Sequence, residues 1–131
     1  MITNEEYRSL LVGKAKEFIH SNKKEQISLQ DISDFCNCSK FHFSRTFKSV
    51  TGLSPYHYLL EVRLNYAKKL LLNSDYTITD ICFLSGFNSL EHFSNVFKKR
   101  FHWNPTNFRK QTATRNLHKV NDRLYDKSYY S

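Results

Sequence analysis

Two stretches of this chain carry polar and charged side chains at the spacing of one helix face. The spacing is i, i+3, i+4, i+7, which places four side chains on one side of an α-helix. These side chains are Phe41, Ser44, Arg45 and Lys48 in one stretch and Glu91, Ser94, Asn95 and Lys98 in the other. The opposite side of each stretch carries two phenylalanines, Phe43 with Phe47 and Phe93 with Phe97. One face is therefore expected to pack, and the other to bind a partner through hydrogen bonds and charge.

Neither stretch has the pattern of a catalytic or metal-binding site. The chain offers no nucleophile with a base placed beside it, no paired carboxylates and no glycine-rich phosphate loop. Cys36 and Cys38, with His42 close in sequence, invite a zinc hypothesis. Their spacing matches none of the usual paired-cysteine patterns, and no second pair exists. The sequence therefore predicts no enzyme, no metal and no cofactor.

Both stretches belong to an internal repeat of three blocks. The blocks are SLQDI at 28–32, FSRTFK at 43–48 and Ser54-Pro55, which return as TITDI at 77–81, FSNVFK at 93–98 and Asn104-Pro105. The offset is 49 residues at the first block and 50 at the others, so the second copy has one extra residue between Gly86 and Phe93. A repeat of this period marks a duplicated supersecondary unit. Each copy predicts two short helices joined by a tight turn, the helix-turn-helix that presents a reading helix to DNA.

Longer helices are expected before, between and after these units. Apolar residues at helical spacing predict a first helix over 4–21. A run without Gly or Pro predicts a long helix over 56–73, with Pro55 in its first turn, which should connect the units and fix their separation. Pro105 is expected to begin a short last helix that ends at Phe108.

Caps and turns set the bounds of the short helices. Hydroxyl side chains predict N-caps at Ser28, Ser39, Thr77 and Ser89, so that helices run over 29–35 and 78–84 and from 40 and 90 onward. Asn37 and Gly86 are expected to take the left-handed conformation in the two turns, because Gly and Asn tolerate it best. His102 stands where the first copy has Gly52, so it too is expected to be left-handed, at a cost of about 1 kcal/mol.

The composition favours a small, basic, all-helical protein. Net charge is +8 and the pI is near 9.5 over 131 residues, which favours a polyanion or an acidic surface as partner. Three cysteines form no even disulfide framework, the acidic and polar start of the chain is unlike a signal peptide, and no apolar run approaches the roughly 20 residues of a membrane span. We expect a cytoplasmic chain with no membrane partner, folded as one domain or as two very small ones that share a helix.

The repeated blocks, with RLNYAKKLL at 63–71 and ICFLSGF at 81–87, resemble the DNA-binding domain of the AraC/XylS family of bacterial transcription regulators. The resemblance covers roughly residues 15–110. It implies an all-α fold of about seven helices in a domain over 1–110, with helix-turn-helix units at about 28–50 and 77–101 and a linker helix at about 55–73. Residues 111–131 are expected to form a basic, partly ordered tail.

The resemblance also implies how the chain works. It resembles the members that consist of the DNA-binding domain alone, which place two reading helices in successive major-groove segments of an asymmetric promoter site. The implied partners are double-stranded DNA, read by a monomer, and RNA polymerase, with the chain acting as an activator of transcription.

Site residues follow from matching positions in the family's reading helices. Base-reading positions correspond to Phe41, Ser44 and Arg45 in the first unit and to Leu90, Glu91, Ser94 and Asn95 in the second. Arg45 is suited to guanine, Asn95 to adenine and Glu91 to the amino group of cytosine. Phosphate contacts are expected from Lys40, Lys48, Lys98, Lys99 and Arg100.

Other interpretations remain open at this point. The basic side chains could form a solvated helix face, which is the usual fate of charge runs. The same fold could bind RNA polymerase or another regulator without reading DNA, or it could bind DNA without regard to sequence. His42 and His92 hold equivalent repeat positions, which suggests structural or phosphate-edge roles.

Overall fold

The computed structural model describes residues 1–115, which form seven α-helices and no β-strand. The helices are α1 (Asn4–Ser21), α2 (Leu29–Phe35), α3 (Lys40–Thr51), α4 (Pro55–Asn73), α5 (Ile78–Leu84), α6 (Leu90–Phe101) and α7 (Pro105–Arg115). The all-α fold expected from the sequence is confirmed. None of these helices is long and apolar enough to cross a membrane.

Helix α7 is longer than the sequence indicates, since it continues past the predicted end at Phe108 to Arg115. The predicted basic tail therefore begins inside this helix at residues 111–115. The rest of that tail lies outside the described residues.

The helix starts depend on the predicted hydroxyl caps. Ser28 Oγ accepts a hydrogen bond from the backbone N–H of Asp31 at 3.0 Å, and the Asp31 carboxylate accepts one from the N–H of Ser28 at 2.9 Å. Thr77 Oγ1 caps α5 in the same place, accepting from the N–H of Asp80 at 3.0 Å. These bonds satisfy backbone donors that a helix start leaves unpaired. Thr3 caps α1 through a similar box with Glu6, a contact that the sequence analysis did not identify.

The two turns share one backbone geometry. Asn37 and Gly86 are left-handed, with φ of 56° and 95°. The N–H of Cys38 donates to the carbonyl of Ser33, and the N–H of Phe87 donates to that of Cys82, both at 3.1 Å, as in a Schellman motif. The copies remain aligned through Phe87, so the extra residue of the second copy is Asn88, directly before the α6 cap.

The two reading helices also end alike. Gly52 and His102 are both left-handed, at φ of 84° and 70°. Their backbone N–H groups donate to the carbonyls of Lys48 and Lys98 at 2.8 and 2.7 Å. The expected left-handed histidine is confirmed.

The chain divides into two compact units, and the division falls inside α4. The first unit is Met1–Val62. Its core joins α1, α2, α3 and the start of α4, and consists of Leu11, Val12, Ala15, Ile19, Ile32, Phe43, Phe47, Leu53, Tyr58, Leu59 and Val62. The Phe47 ring lies 5.5 Å from the Tyr58 ring, edge to face.

The second unit begins at Arg63 and contains its own cluster of buried side chains. Phe97 is central, with ring centroids of Phe93, Phe101 and Phe108 at 5.7, 4.7 and 5.4 Å. Arg109 of α7 donates to the carbonyls of Leu71, Ser74 and Tyr76 at 3.3, 3.2 and 2.6 Å. This guanidinium therefore ties α7 to the end of α4 and to the connection that leads into α5.

Replacement of Gly86 by Ala is expected to lower the free energy of unfolding by about 1–2 kcal/mol, because a Cβ disfavours the left-handed conformation. The control is Gly13→Ala in the exposed middle of α1, where an added Cβ meets no atom within 4 Å. That variant is expected to be more stable by about 0.5–1 kcal/mol, since Ala favours a helix interior over Gly. Urea unfolding followed by circular dichroism measures both, and changes of the same sign would contradict the assigned turn.

Candidate nucleic-acid interface

Helix α3 separates its side chains into a buried face and an exposed face. Ser39 Oγ caps the helix by accepting from the N–H of His42 at 3.1 Å. Phe43 and Phe47 are fully buried on one side. On the other side Phe41 is 82% exposed. The predicted division of α3 into a buried face and an exposed face is therefore confirmed, and DNA binding by the exposed face stays a prediction.

Helix α3 also carries exposed cations. Lys40, Arg45 and Lys48 are all exposed, and Ser44 is half-buried. No acidic residue lies in α3. The exposed face of α3 therefore offers hydrogen-bond donors and positive charge beside an apolar ring, which is a surface suited to the major groove and its phosphates.

Helix α6 repeats the arrangement with a different charge balance. Phe93 and Phe97 are fully buried, whereas Leu90 is 42% exposed. The predicted base-reading residues Glu91 and Asn95 are exposed, and Ser94 is half-buried. Lys98 and Lys99 are exposed in the last turn of the helix. A carboxylate thus stands on the face of α6 where α3 carries the aromatic Phe41.

One predicted phosphate residue is not on the surface. Arg100 is only 7% exposed, and its guanidinium carbon lies 4.8 Å from the centroid of the Phe101 ring. Arg100 follows Phe93 and Phe97 on the same helical stripe, which faces the interior, so its position supports a phosphate contact less than the positions of the exposed lysines do. The exposed phosphate candidates are Lys40, Lys48, Lys98 and Lys99.

The structure also brings residues of α1 to the side of α3, which the sequence analysis missed. The Tyr7 hydroxyl lies 3.3 Å from Nε2 of His42, with the two rings stacked. Nη2 of Arg8 donates a short hydrogen bond to the hydroxyl of Ser49. These partners are 35 and 41 residues apart in sequence, so no spacing could have revealed them.

The three thiols behave as packing groups. Cys82 is buried, and Cys36 and Cys38 are half-buried. Burial raises the pKa of each thiol, and in Cys36 the neighbouring Cys38 raises it further. Because an ordinary cysteine is already protonated at neutral pH, these three are neutral there and poorly nucleophilic.

Comparisons with known proteins agree with this geometry. A family model described as a helix-turn-helix domain matches residues 32–111. The "Bifunctional transcriptional activator/DNA repair enzyme AdaA" of Bacillus subtilis is 33% identical over 96 residues, which cover 73% of this chain and 46% of that relative. The chain thus spans less than half the length of this curated relative.

Solved structures share the same architecture. An AraC-type DNA-binding domain protein from Chromobacterium violaceum superposes with a TM-score of 0.75 at 32% identity, covering 82% of this chain and 96% of that one. The DNA-binding domain of AdpA, solved in complex with a target DNA, has the same fold, with a TM-score of 0.78 at 23% identity over 82% and 96% of the two chains. With more than half of its residues matched by the family model and with this fold, the chain belongs to the AraC/XylS-type helix-turn-helix family.

Proposed function

We propose that this protein is a sequence-specific regulator of transcription that inserts α3 and α6 into successive major-groove segments of an asymmetric promoter site. The observation that carries the proposal is the exposed face of α3. It sets Phe41 beside Arg45 and Lys48, while the opposite face is fully buried. Contact between this face and DNA is favourable, because DNA is a polyanion and its major groove exposes the methyl groups of thymine.

The exposed side chains of α3 suit base reading. Arg45 has the planar guanidinium that pairs bidentately with O6 and N7 of guanine, the most common specific contact to DNA. Phe41 contacts a thymine methyl, an apolar feature of the major groove. Ser44 donates or accepts one hydrogen bond. Arg45 is therefore the residue that contributes most to the specificity of the first unit.

Helix α6 contributes selectivity more than affinity. Asn95 pairs with N6 and N7 of adenine, and Glu91 accepts from N4 of cytosine. Leu90 and Ser94 complete this face. A carboxylate near phosphates repels them unless a base donor compensates, so Glu91 rejects most sequences and α3 supplies the larger share of the affinity.

Phosphate contacts hold the chain in register without reading sequence. Lys40 and Lys48 serve this role beside α3, and Lys98 and Lys99 beside α6.

The chain acts as a monomer in the cytoplasm and activates transcription by contact with RNA polymerase. Support for activation comes from the name of AdaA, which describes that relative as a transcriptional activator. The DNA repair activity in the same name is not proposed for this chain, to which we assign a regulatory and not an enzymatic role.

The Arg45→Ala variant tests base reading directly. It is expected to lose about 1–3 kcal/mol of binding to the best site and to relax the preference for one guanine. The matched control Lys98→Ala is expected to weaken all sequences about equally, because a phosphate contact carries no sequence information. Titrations on duplexes selected by genomic footprinting give both values. If Arg45→Ala loses the same affinity for specific and for random DNA, direct readout is refuted and a nonspecific DNA binder is favoured. If its affinity for DNA is unchanged, the alternative is favoured in which the fold binds RNA polymerase or another regulator without reading DNA.

Binding stoichiometry tests the asymmetric site. One chain per footprinted duplex is expected, because each chain carries both reading helices. Light scattering of the complex, with the free duplex as control, measures the mass. Two chains on a palindromic duplex would overturn the proposal of a monomer.

The Glu91→Gln variant tests the division of labour between α3 and α6. It is expected to raise affinity for random DNA and to narrow the gap between the best site and its single-base variants, because the amide no longer repels phosphates. The control is Asp75→Asn, which removes one negative charge from the connection between α4 and α5 of the same unit. Titrations at fixed salt on the best site and a scrambled duplex compare them. If both Glu91→Gln affinities equal those of the parent protein, Glu91 does not face DNA.

A further inference from the structure

The start of α1 lies against one side of α3. Tyr7 reaches His42, and Arg8 donates to Ser49. At 3.6 residues per turn, His42 and Ser49 are two turns apart on one strip of α3, roughly 40–60° around the helix axis from Arg45. This strip lies between the exposed face and the buried face, so it is a flank of the reading helix.

A flank of a reading helix faces phosphates when the helix occupies the major groove. The groove is about 12 Å wide, and an α-helix with its side chains measures about 10–12 Å across. The helix therefore fills the groove, and each flank lies close to one sugar-phosphate wall. Lys48 lies about 60° around the axis from Arg45 on the side away from the strip, where it offers a cation to the other wall.

The strip itself has neither a lysine nor an arginine. His42 and Ser49 occupy it, and the nearest guanidinium belongs to α1. Arg8 is half-buried and is held in place by its bond to Ser49, which uses one of the five N–H donors of a guanidinium. The contact thus brings a pre-positioned cation to the side of α3 that lacks one of its own.

We propose that Arg8 is a DNA-binding residue that contacts a backbone phosphate on this flank of α3, so that the reading surface of the first unit includes the start of α1. The inference rests on the proposed entry of α3 into the major groove. Glu6, two residues before Arg8, accepts a hydrogen bond from the N–H of Thr3 at 3.1 Å and so turns toward the helix start. Glu5 is exposed one turn before Arg8. A single guanidinium is expected to neutralise about one phosphate.

The test compares Arg8→Gln with Lys14→Gln in the full chain bound to the footprinted duplex. Both changes remove one positive charge from α1, but the Lys14 ammonium lies over the ring of Phe35 in α2, 5.1 Å from its centroid. Arg8→Gln is expected to flatten the slope of log affinity against log salt by about 0.9, the value for one phosphate. Lys14→Gln is expected to leave the slope unchanged. Equal slopes for the two variants would overturn the inference.

Two further variants separate this inference from loss of structure and from failure of the proposed function. Ser49→Ala removes the hydroxyl partner but keeps the charge of Arg8, so its slope is expected to lie nearer to that of the parent than to that of Arg8→Gln. If Arg8→Gln lowers the urea midpoint of unfolding and Lys14→Gln does not, while the slopes of the two variants are equal, α1 acts only by packing on α3. Arg45→Ala serves as the reference for base reading. If Arg45→Ala loses site preference while Arg8→Gln keeps the parent's slope, the proposed function stands and the role of Arg8 is wrong. If the parent protein prefers no duplex sequence, the proposed function itself fails.

Discussion

Burial of two phenylalanines on one side of each reading helix is the constraint on which the rest of the interface depends. Phe43 and Phe47 in α3 are fully buried, as are their counterparts in α6. Each buried ring is worth about 1.5–3 kcal/mol relative to an exposed one, so the pair resists rotation of its helix about the axis. Rotation by one residue would bring Arg45 toward the core, and burial of an unpaired guanidinium is costly. The apolar face therefore determines which polar side chains meet the solvent.

The angle between the two helices of each unit depends on the backbone instead. A left-handed residue and two hydrogen bonds back to α2 or α5 close both turns, although one turn uses Asn37 and the other Gly86. The hydroxyl side chains of Ser39 and Ser89 then cap the N-termini of α3 and α6. Short-range interactions therefore set the turn geometry in both copies, and the connection to the reading helix is one residue longer in the second copy because Asn88 precedes the cap of α6.

The charges of the two units are unequal. The exposed face of α3 has three cations and no acid, whereas α6 has Glu91 and loses Arg100 to the interior. Arg8 adds a further guanidinium at the side of α3. Since electrostatic attraction to phosphates supplies much of the affinity for DNA, the first unit is the stronger candidate for binding and the second for selection.

Features that depend on neighbours within about five residues along the chain could be predicted from the amino-acid sequence. The bounds of α1, α2 and α5, the caps Ser28, Ser39, Thr77 and Ser89 and the left-handed positions Asn37, Gly86 and His102 agree with the sequence predictions, because caps and turns are built from local hydrogen bonds. The buried and exposed faces of α3 and α6 were predicted for the same reason, from a period of 3.6 residues.

Other features depend on packing in the folded chain and could not be predicted from local patterns. The periodic apolar signal stops at Phe108, yet α7 continues to Arg115, and Arg109 is bound to carbonyls 33 to 38 residues away. The charge of Arg100 predicts a phosphate contact, but its side chain is buried and its guanidinium lies over the ring of Phe101. The contact between Arg8 and α3 forms only when the chain folds. Arg100 needs no distant partner, because it follows Phe93 and Phe97 at helical spacing and faces the interior with them. The partners of Arg109 and Arg8 are distant in sequence, and a local pattern carries no information about which helix will lie alongside.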